Sequence, residues 1–101
     1  MESLFVMLAD PGRRQILDLL RMHERAAGEI VEAMKISQPG VSKQLKLLRE
    51  AGLVDVRGEG QRRIYSLRAE RLAELDRWLA PYRVFWSGKL DALGAHLDRE
   101  Q

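Results

Sequence analysis

The 101-residue sequence contains no cysteine. That absence excludes disulfides, thiolate metal centres, thiol redox sensing and cysteine nucleophiles. Histidine is nearly as scarce, with 2 residues, which leaves poor ligand density for a zinc site. With only 3 prolines and 8 glycines, a hydrophobic fraction of 46% and a charged fraction of 32%, the composition is that of a globular chain and not of a disordered or fibrous one. Internal repeats and low-complexity stretches are absent. The apolar run from Leu4 to Ala9 is closed by Asp10 and Arg13. It is shorter than a signal-peptide core of ~7–15 residues with its flanks and far shorter than a membrane span of ~20. A cytoplasmic chain without membrane contact is expected. A chain of this length holds one small domain, which buries only roughly two-thirds of its unfolded surface and gains from a partner subunit.

Charge is uneven along the chain although the formal net charge is only +2. Residues 1–36 carry five basic and six acidic side chains, residues 37–65 six basic and three acidic, and residues 66–101 six of each. The positive surplus therefore sits in the middle third.

Asp10-Pro11 followed by Ile16, Leu17 and Leu20 predicts a helix over about 11–22, with Asp10 as N-cap and Pro11 at the first helical position. Leu4, Phe5 and Leu8 fall at helical spacing and predict a short first helix that ends at the Asp-Pro break. Ala27 to Met34 reads as a two-turn helix whose start lacks a good capping side chain. Ser37 caps the next helix, with Pro39 in its first turn, Val41, Leu45 and Leu48 on one face and Ala51-Gly52 as its stop. Beyond Gly52 the period changes to two. Val54 and Val56 alternate with Asp55 and Arg57, Gly58 to Gln61 turns, and Ile64, Tyr65 and Leu67 follow, which predicts a β-hairpin. From about Ala69 the pattern is helical again, with Leu72, Leu75, Leu79, Tyr82, Trp86, Leu90, Leu93 and Leu97 three or four apart. Pro81 marks either a kink or a junction of two helices.

The expected fold is mainly α with a small β-hairpin. Two helices joined by a short turn, the second basic on its outer side, followed by a basic hairpin, give the order of a winged helix-turn-helix. The runs Leu8-Ala9-Asp10-Pro11-Gly12-Arg13-Arg14-Gln15-Ile16-Leu17, Ser37-Gln38-Pro39-Gly40-Val41-Ser42-Lys43-Gln44-Leu45 and Leu48-Arg49-Glu50-Ala51-Gly52-Leu53-Val54 closely resemble the ArsR/SmtB family of bacterial repressors. With the tail Leu79-Ala80-Pro81-Tyr82-Arg83-Val84-Phe85-Trp86, the resemblance covers nearly the whole chain and points to the branch without metal-binding cysteines. It implies a homodimeric transcriptional repressor of double-stranded DNA that occludes a promoter and is not an enzyme. Residues 1–101 would form a single domain, with the recognition helix over about 37–51, the wing over about 53–67 and dimerisation by residues 3–9 and 69–98. This sequence has Gly40 where the family commonly has Thr and Lys43-Gln44 where it commonly has Arg-His.

The residue chemistry agrees. With Val41, Leu45 and Leu48 turned inward, Lys43 and Lys46 point outward, and Ser37, Gln38, Gly40 and Ser42 lie near the helix N-terminus, where docked helices meet base edges. Gln pairs adenine, Lys reaches guanine acceptors, and Ser serves base or phosphate. In the hairpin, Arg57, Arg62 and Arg63 are expected to contact a phosphate strand or a minor groove. The plainer alternative is a charged edge that blocks strand pairing. Leu4, Phe5, Leu8, Leu75, Leu79, Phe85, Trp86, Leu90 and Leu93 are expected at a two-fold interface, since they offer more apolar surface than one small domain covers. A winged helix used only for protein interaction is the alternative reading.

Catalysis has little support. His23 stands beside Glu24 at a helix end, where imidazole ordinarily serves the helix dipole. Ser42 has no histidine near it in sequence and no nucleophile-elbow glycines. His96, Glu100 and Asp91 form the one group to be weighed as metal ligands, and the expectation is that no metal and no cofactor is bound.

Overall fold

Asp10 ends one helix and starts the next. The computed structural model describes the backbone of residues 2–100 and the side chains of residues 2–88. In it, α1 (Glu2–Ala9) stops where Asp10 takes an extended conformation, and α2 (Pro11–Met22) begins with Asp10 Oδ2 accepting the Arg13 N–H at 3.0 Å. The last carbonyls of α1 are left without helical donors. Two arginines of α2 take them: Arg13 Nε bonds Met7 O at 2.9 Å, and Arg14 Nη1 bonds Leu8 O at 2.6 Å and Ala9 O at 3.0 Å.

The strand β1 (Arg25–Ala26) leads into α3 (Ala27–Met34), where the Glu29 carboxylate accepts the Ala26 N–H at 3.1 Å, half of a capping box. Lys35 closes α3 in the left-handed region, φ 57°, and a three-residue turn delivers the chain to α4 (Gln38–Glu50). Ser37 caps α4 as its position and Pro39 predict, its Oγ accepting the Gly40 N–H at 3.2 Å. The hairpin of β2 (Val54–Glu59) and β3 (Arg62–Leu67) pairs antiparallel, with Arg57 opposite Ile64 and Glu59 opposite Arg62. Only Gly60 and Gln61 remain as the turn, tighter than the four residues expected, because Gly60 adopts φ +63° and a two-residue loop then matches the strand twist. Strand β1 adds to the open edge of β3, so the sheet order is β1-β3-β2.

The helices α1–α4 and the strands β2 and β3 each send an apolar side chain into one core. Leu4, Ile16, Leu20, Ile30, Val41, Leu45, Leu48, Leu53, Val54 and Tyr65 meet there. Leu4 is fully covered by its own chain. Its expected place at an interface with a partner is therefore corrected: it is a core residue, and α1 is held to the domain by it.

The terminal helix α5 (Leu72–Glu100) starts three residues later than the sequence pattern suggests and runs unbroken through Pro81. Proline removes a helical donor at that turn. Arg83 braces it, Nη2 donating at 2.9 Å both to the Asp76 carbonyl and to the Asp76 carboxylate. Leu72 and Leu75 pack against the core, while residues past Leu79 project from it. The projection explains the Cα radius of gyration of 17.7 Å, against about 13 Å for a compact chain of ~100 residues. Leu90, Leu93 and the group of His96, Glu100 and Asp91 lie outside the residues whose side chains are described. No described helix is long and apolar enough to cross a membrane.

Candidate nucleic-acid interface

Period-two alternation gives the hairpin two different faces. Arg57, Glu59, Arg62 and Ile64 share one, and Arg63 and Tyr65 share the other. On the first face every arginine is taken. Arg57 holds Glu24 through two nitrogens, the Nη2 to Oε1 distance being 2.7 Å, and reaches Glu59 at 3.2 Å. Arg62 holds Glu29 at 2.9 Å. The hydrogen bond from Arg57 keeps the Glu24 carboxyl below the usual glutamate range against a smaller opposing effect of desolvation, and the same bond raises the Arg57 guanidinium.

On the second face Arg63 makes no ion pair or side-chain hydrogen bond among the described residues. It lines a cleft of about 480 Å³ between β3 and α4, together with Gln38, Ser42, Lys46 and Arg49. Lys43, Lys46 and Arg49 are likewise exposed and without an acidic partner among the described residues. Four uncompensated cations thus gather on α4 and the adjoining wing face, where they favour a polyanion. A second cleft of about 520 Å³ adjoins it toward the start of α3 and the tip of the wing, where Glu29 and Glu32 stand with Arg62. Gln38 and Arg63 line both clefts.

Four of the expected contact residues, Gln38, Ser42, Lys46 and Arg63, are therefore brought to one cleft, where Arg49 joins them, while Lys43 is exposed on the same helix outside that lining. Ser37 is engaged as the helix cap. Gly40 is half-buried beneath that cap, and a Cβ on it would stand 3.2 Å from Ser37 Oγ. Arg57 and Arg62 are held by carboxylates 33 residues away. No sequence signal pairs them.

A second surface feature is apolar. Phe5 packs edge-on against Trp78 with centroids 5.8 Å apart, and Trp78 meets Tyr82 at 5.0 Å. Trp78, Tyr82, Phe85 and Trp86 recur at helical spacing on α5, and all four are exposed, Phe85 to 69%. Of the expected interface set, Phe5, Phe85 and Trp86 stand on this ridge, whereas Leu8, Leu75 and Leu79 are half-buried in the subunit. Trp78 and Tyr82 were not in that set, because a stripe of spaced leucines masks which of its members the domain leaves uncovered.

Residues 10–56, the stretch from the Asp10 cap through α4 into the wing, match the bacterial regulatory protein arsR family. The transcriptional repressor SdpR of Bacillus subtilis is 37% identical over 79 residues, 78% of this chain and 88% of that protein. The chain belongs to the arsR family. The crystal structure of Mycobacterium tuberculosis Rv0081 is similar to this ArsR-family chain at 38% identity, with a TM-score of 0.64, over 86% of this chain and 85% of that one. The full Rv0081 sequence is longer; its 72 matched residues are 63% of it. An ArsR-like regulator from Rhodococcus sp. RHA1 shares the fold over 97% of this chain and 90% of its own, with a TM-score of 0.75 at 24% identity. The ArsR-family chain is a winged helix-turn-helix transcriptional regulator that binds DNA, and its family is one of regulators, not enzymes.

Proposed function

We propose that this protein is a cytoplasmic, homodimeric repressor that occludes a promoter by placing α4 in the major groove. One observation carries the reading: Lys46, Arg49 and Arg63 converge without acidic partners among the described residues on the cleft between α4 and the wing, and Lys43 is exposed on the same helix. Gln38 and Lys43 read base edges from the first turns of α4. Ser42 supports them, and Lys46, Arg49 and Arg63 neutralise phosphates on either side of the groove. The exposed ridge of Phe5, Trp78, Tyr82, Phe85 and Trp86 joins two copies, so that the two α4 helices meet half-sites ~34–36 Å apart.

Binding to a duplex selected by the protein from a random pool, measured between about 50 and 200 mM salt, tests the reading. Three phosphate contacts per protomer predict a log–log slope of about −5 for the dimer, roughly a 10³-fold loss over that range. A flat salt response, or no preference for any duplex, overturns it.

A further inference from the structure

Gln44 lies on α4 between Lys43, which faces outward, and Leu45, which is buried. Its amide has one acceptor and one donor end, and both are used. Oε1 accepts from Arg13 Nη1 at 3.2 Å, and Nε2 donates to Asp10 Oδ2 at 3.2 Å. That same Asp10 oxygen caps α2, and the same Arg13 bonds the Met7 and Val6 carbonyls at the end of α1 at 2.9 and 3.1 Å. Three helices therefore meet at a junction of three side chains. Gly12 lets it close: a Cβ there would stand 3.0 Å from Asp10 Oδ2 and 3.8 Å from Gln44 Nε2.

The consequence is for the rotation of α4 about its own axis. Apolar packing of Val41, Leu45 and Leu48 buries the right face but is non-directional. Hydrogen bonds are directional. A reading constellation has to be held within roughly 0.5 Å and 10–20° of its productive geometry, and the only hydrogen bonds from the α4 side chains beyond the first turn to another element are those of Gln44 among the described residues. We propose that Gln44 is a positioning residue for sequence reading: through Asp10 and Arg13 it fixes α4 against α1 and α2, so that discrimination between DNA sequences depends on a side chain that contacts no DNA.

This inference rests on the DNA-binding reading above, and its test separates the two. The full chain is assayed on a duplex it has selected from a random pool and on a scrambled duplex of equal composition. Gln44→Met keeps the length of the side chain and removes both bonds. It should lower the ratio of the two affinities roughly tenfold, leaving the affinity for the scrambled duplex and the salt slope unchanged. Gln44→His should restore the ratio, one ring nitrogen accepting from Arg13 and the other donating to Asp10. Arg13→Met should reproduce the loss, and the double variant should lose no more than the larger single loss, since both changes break one unit. Gly12→Ala, which presses on the junction from α2, should also lower the ratio. Wild-type ratios in Gln44→Met or Gly12→Ala, a salt slope altered by one phosphate in Gln44→Met, or additive losses would each overturn the inference while the DNA-binding reading stood. A wild-type chain with no sequence preference would overturn both.

Discussion

The guanidinium of Arg57 grips the carboxylate of Glu24 through both terminal nitrogens, tying β2, the first strand of the wing, to the segment that follows α2. Glu59 on the same strand closes the cluster from the other side. A wing that is half neutralised and half free is a directional device: it offers positive charge toward α4 and withholds it from the opposite side.

Arg57 and Arg63 should therefore behave differently although they are six positions apart on one hairpin. Arg63→Ala should weaken binding to all duplexes alike and flatten the salt slope by about 0.9 per protomer. Arg57→Ala should leave the slope where it was. Affinities measured across a salt series decide it, and a slope change in Arg57→Ala equal to that in Arg63→Ala would place Arg57 on the phosphates after all.

The Glu24 pairing also predicts a pH response, with a definite sign. The hydrogen bond from Arg57 holds the folded-state carboxyl of Glu24 below its ordinary value of 4.5. A depressed carboxyl contributes stability that is fully present above the unfolded value and is lost as pH falls through the folded one. Amide protection factors in β2 should thus fall only below pH 4.5, and Glu24→Gln should show the lowered protection at neutral pH. A carboxyl resonance of Glu24 titrating at or above the ordinary value would contradict the pairing.

What the sequence displayed and what it hid divide along the distance between partners. Asp10-Pro11 and Ser37 with Pro39 announce helix starts, because a cap acts on an N–H three residues away. Alternation of Val54, Asp55, Val56 and Arg57 announces a strand. Strand β1 is two residues long and exists only through β3, so it has no period to display. Leu4 and Phe5 are adjacent and both apolar, yet one is buried and the other exposed, since periodicity marks an apolar face without naming what covers it. The partners of Arg57, Arg62 and Gln44 lie 31 to 34 residues away. The set of basic residues near α4 was legible, but its division into free and paired members was set by tertiary contacts.

Ser37 combines the two kinds of information, and its removal should act on stability before it acts on reading. Its Oγ accepts an N–H of the first turn of α4. Ser37→Ala should cost about 0.5–2 kcal/mol, whereas Leu48→Ala, emptying a fully buried position of the same helix, should cost about 2–5 kcal/mol. Denaturant unfolding with an unchanged m-value checks both. A Ser37→Ala chain of wild-type stability that nonetheless binds DNA weakly would make Ser37 a contact residue instead of a cap.

The exposed ridge on α5 makes the assembly testable. Trp86 is 42% exposed and Phe85 69%, and they lie one helical turn beyond Tyr82, which continues the ring contacts of Phe5 and Trp78. Aromatic side chains left open at that spacing on a projecting helix are the composition of an interface centre, where aromatics are enriched and charge is depleted. Asp76, Arg77 and Arg83 flank the ridge as a polar margin. Replacing Phe85 and Trp86 by glutamate places two like charges per copy in the proposed two-fold contact, where burying them without partners opposes association. Neither side chain belongs to the buried core of the subunit, so the domain should remain folded. Sedimentation should then show a monomer with wild-type helix content. Its DNA affinity should fall, because one α4 engages one half-site and the second contact is no longer held close by, and the salt slope should halve with the number of phosphates neutralised. A double-glutamate variant that still sediments as a dimer would remove α5 from the interface.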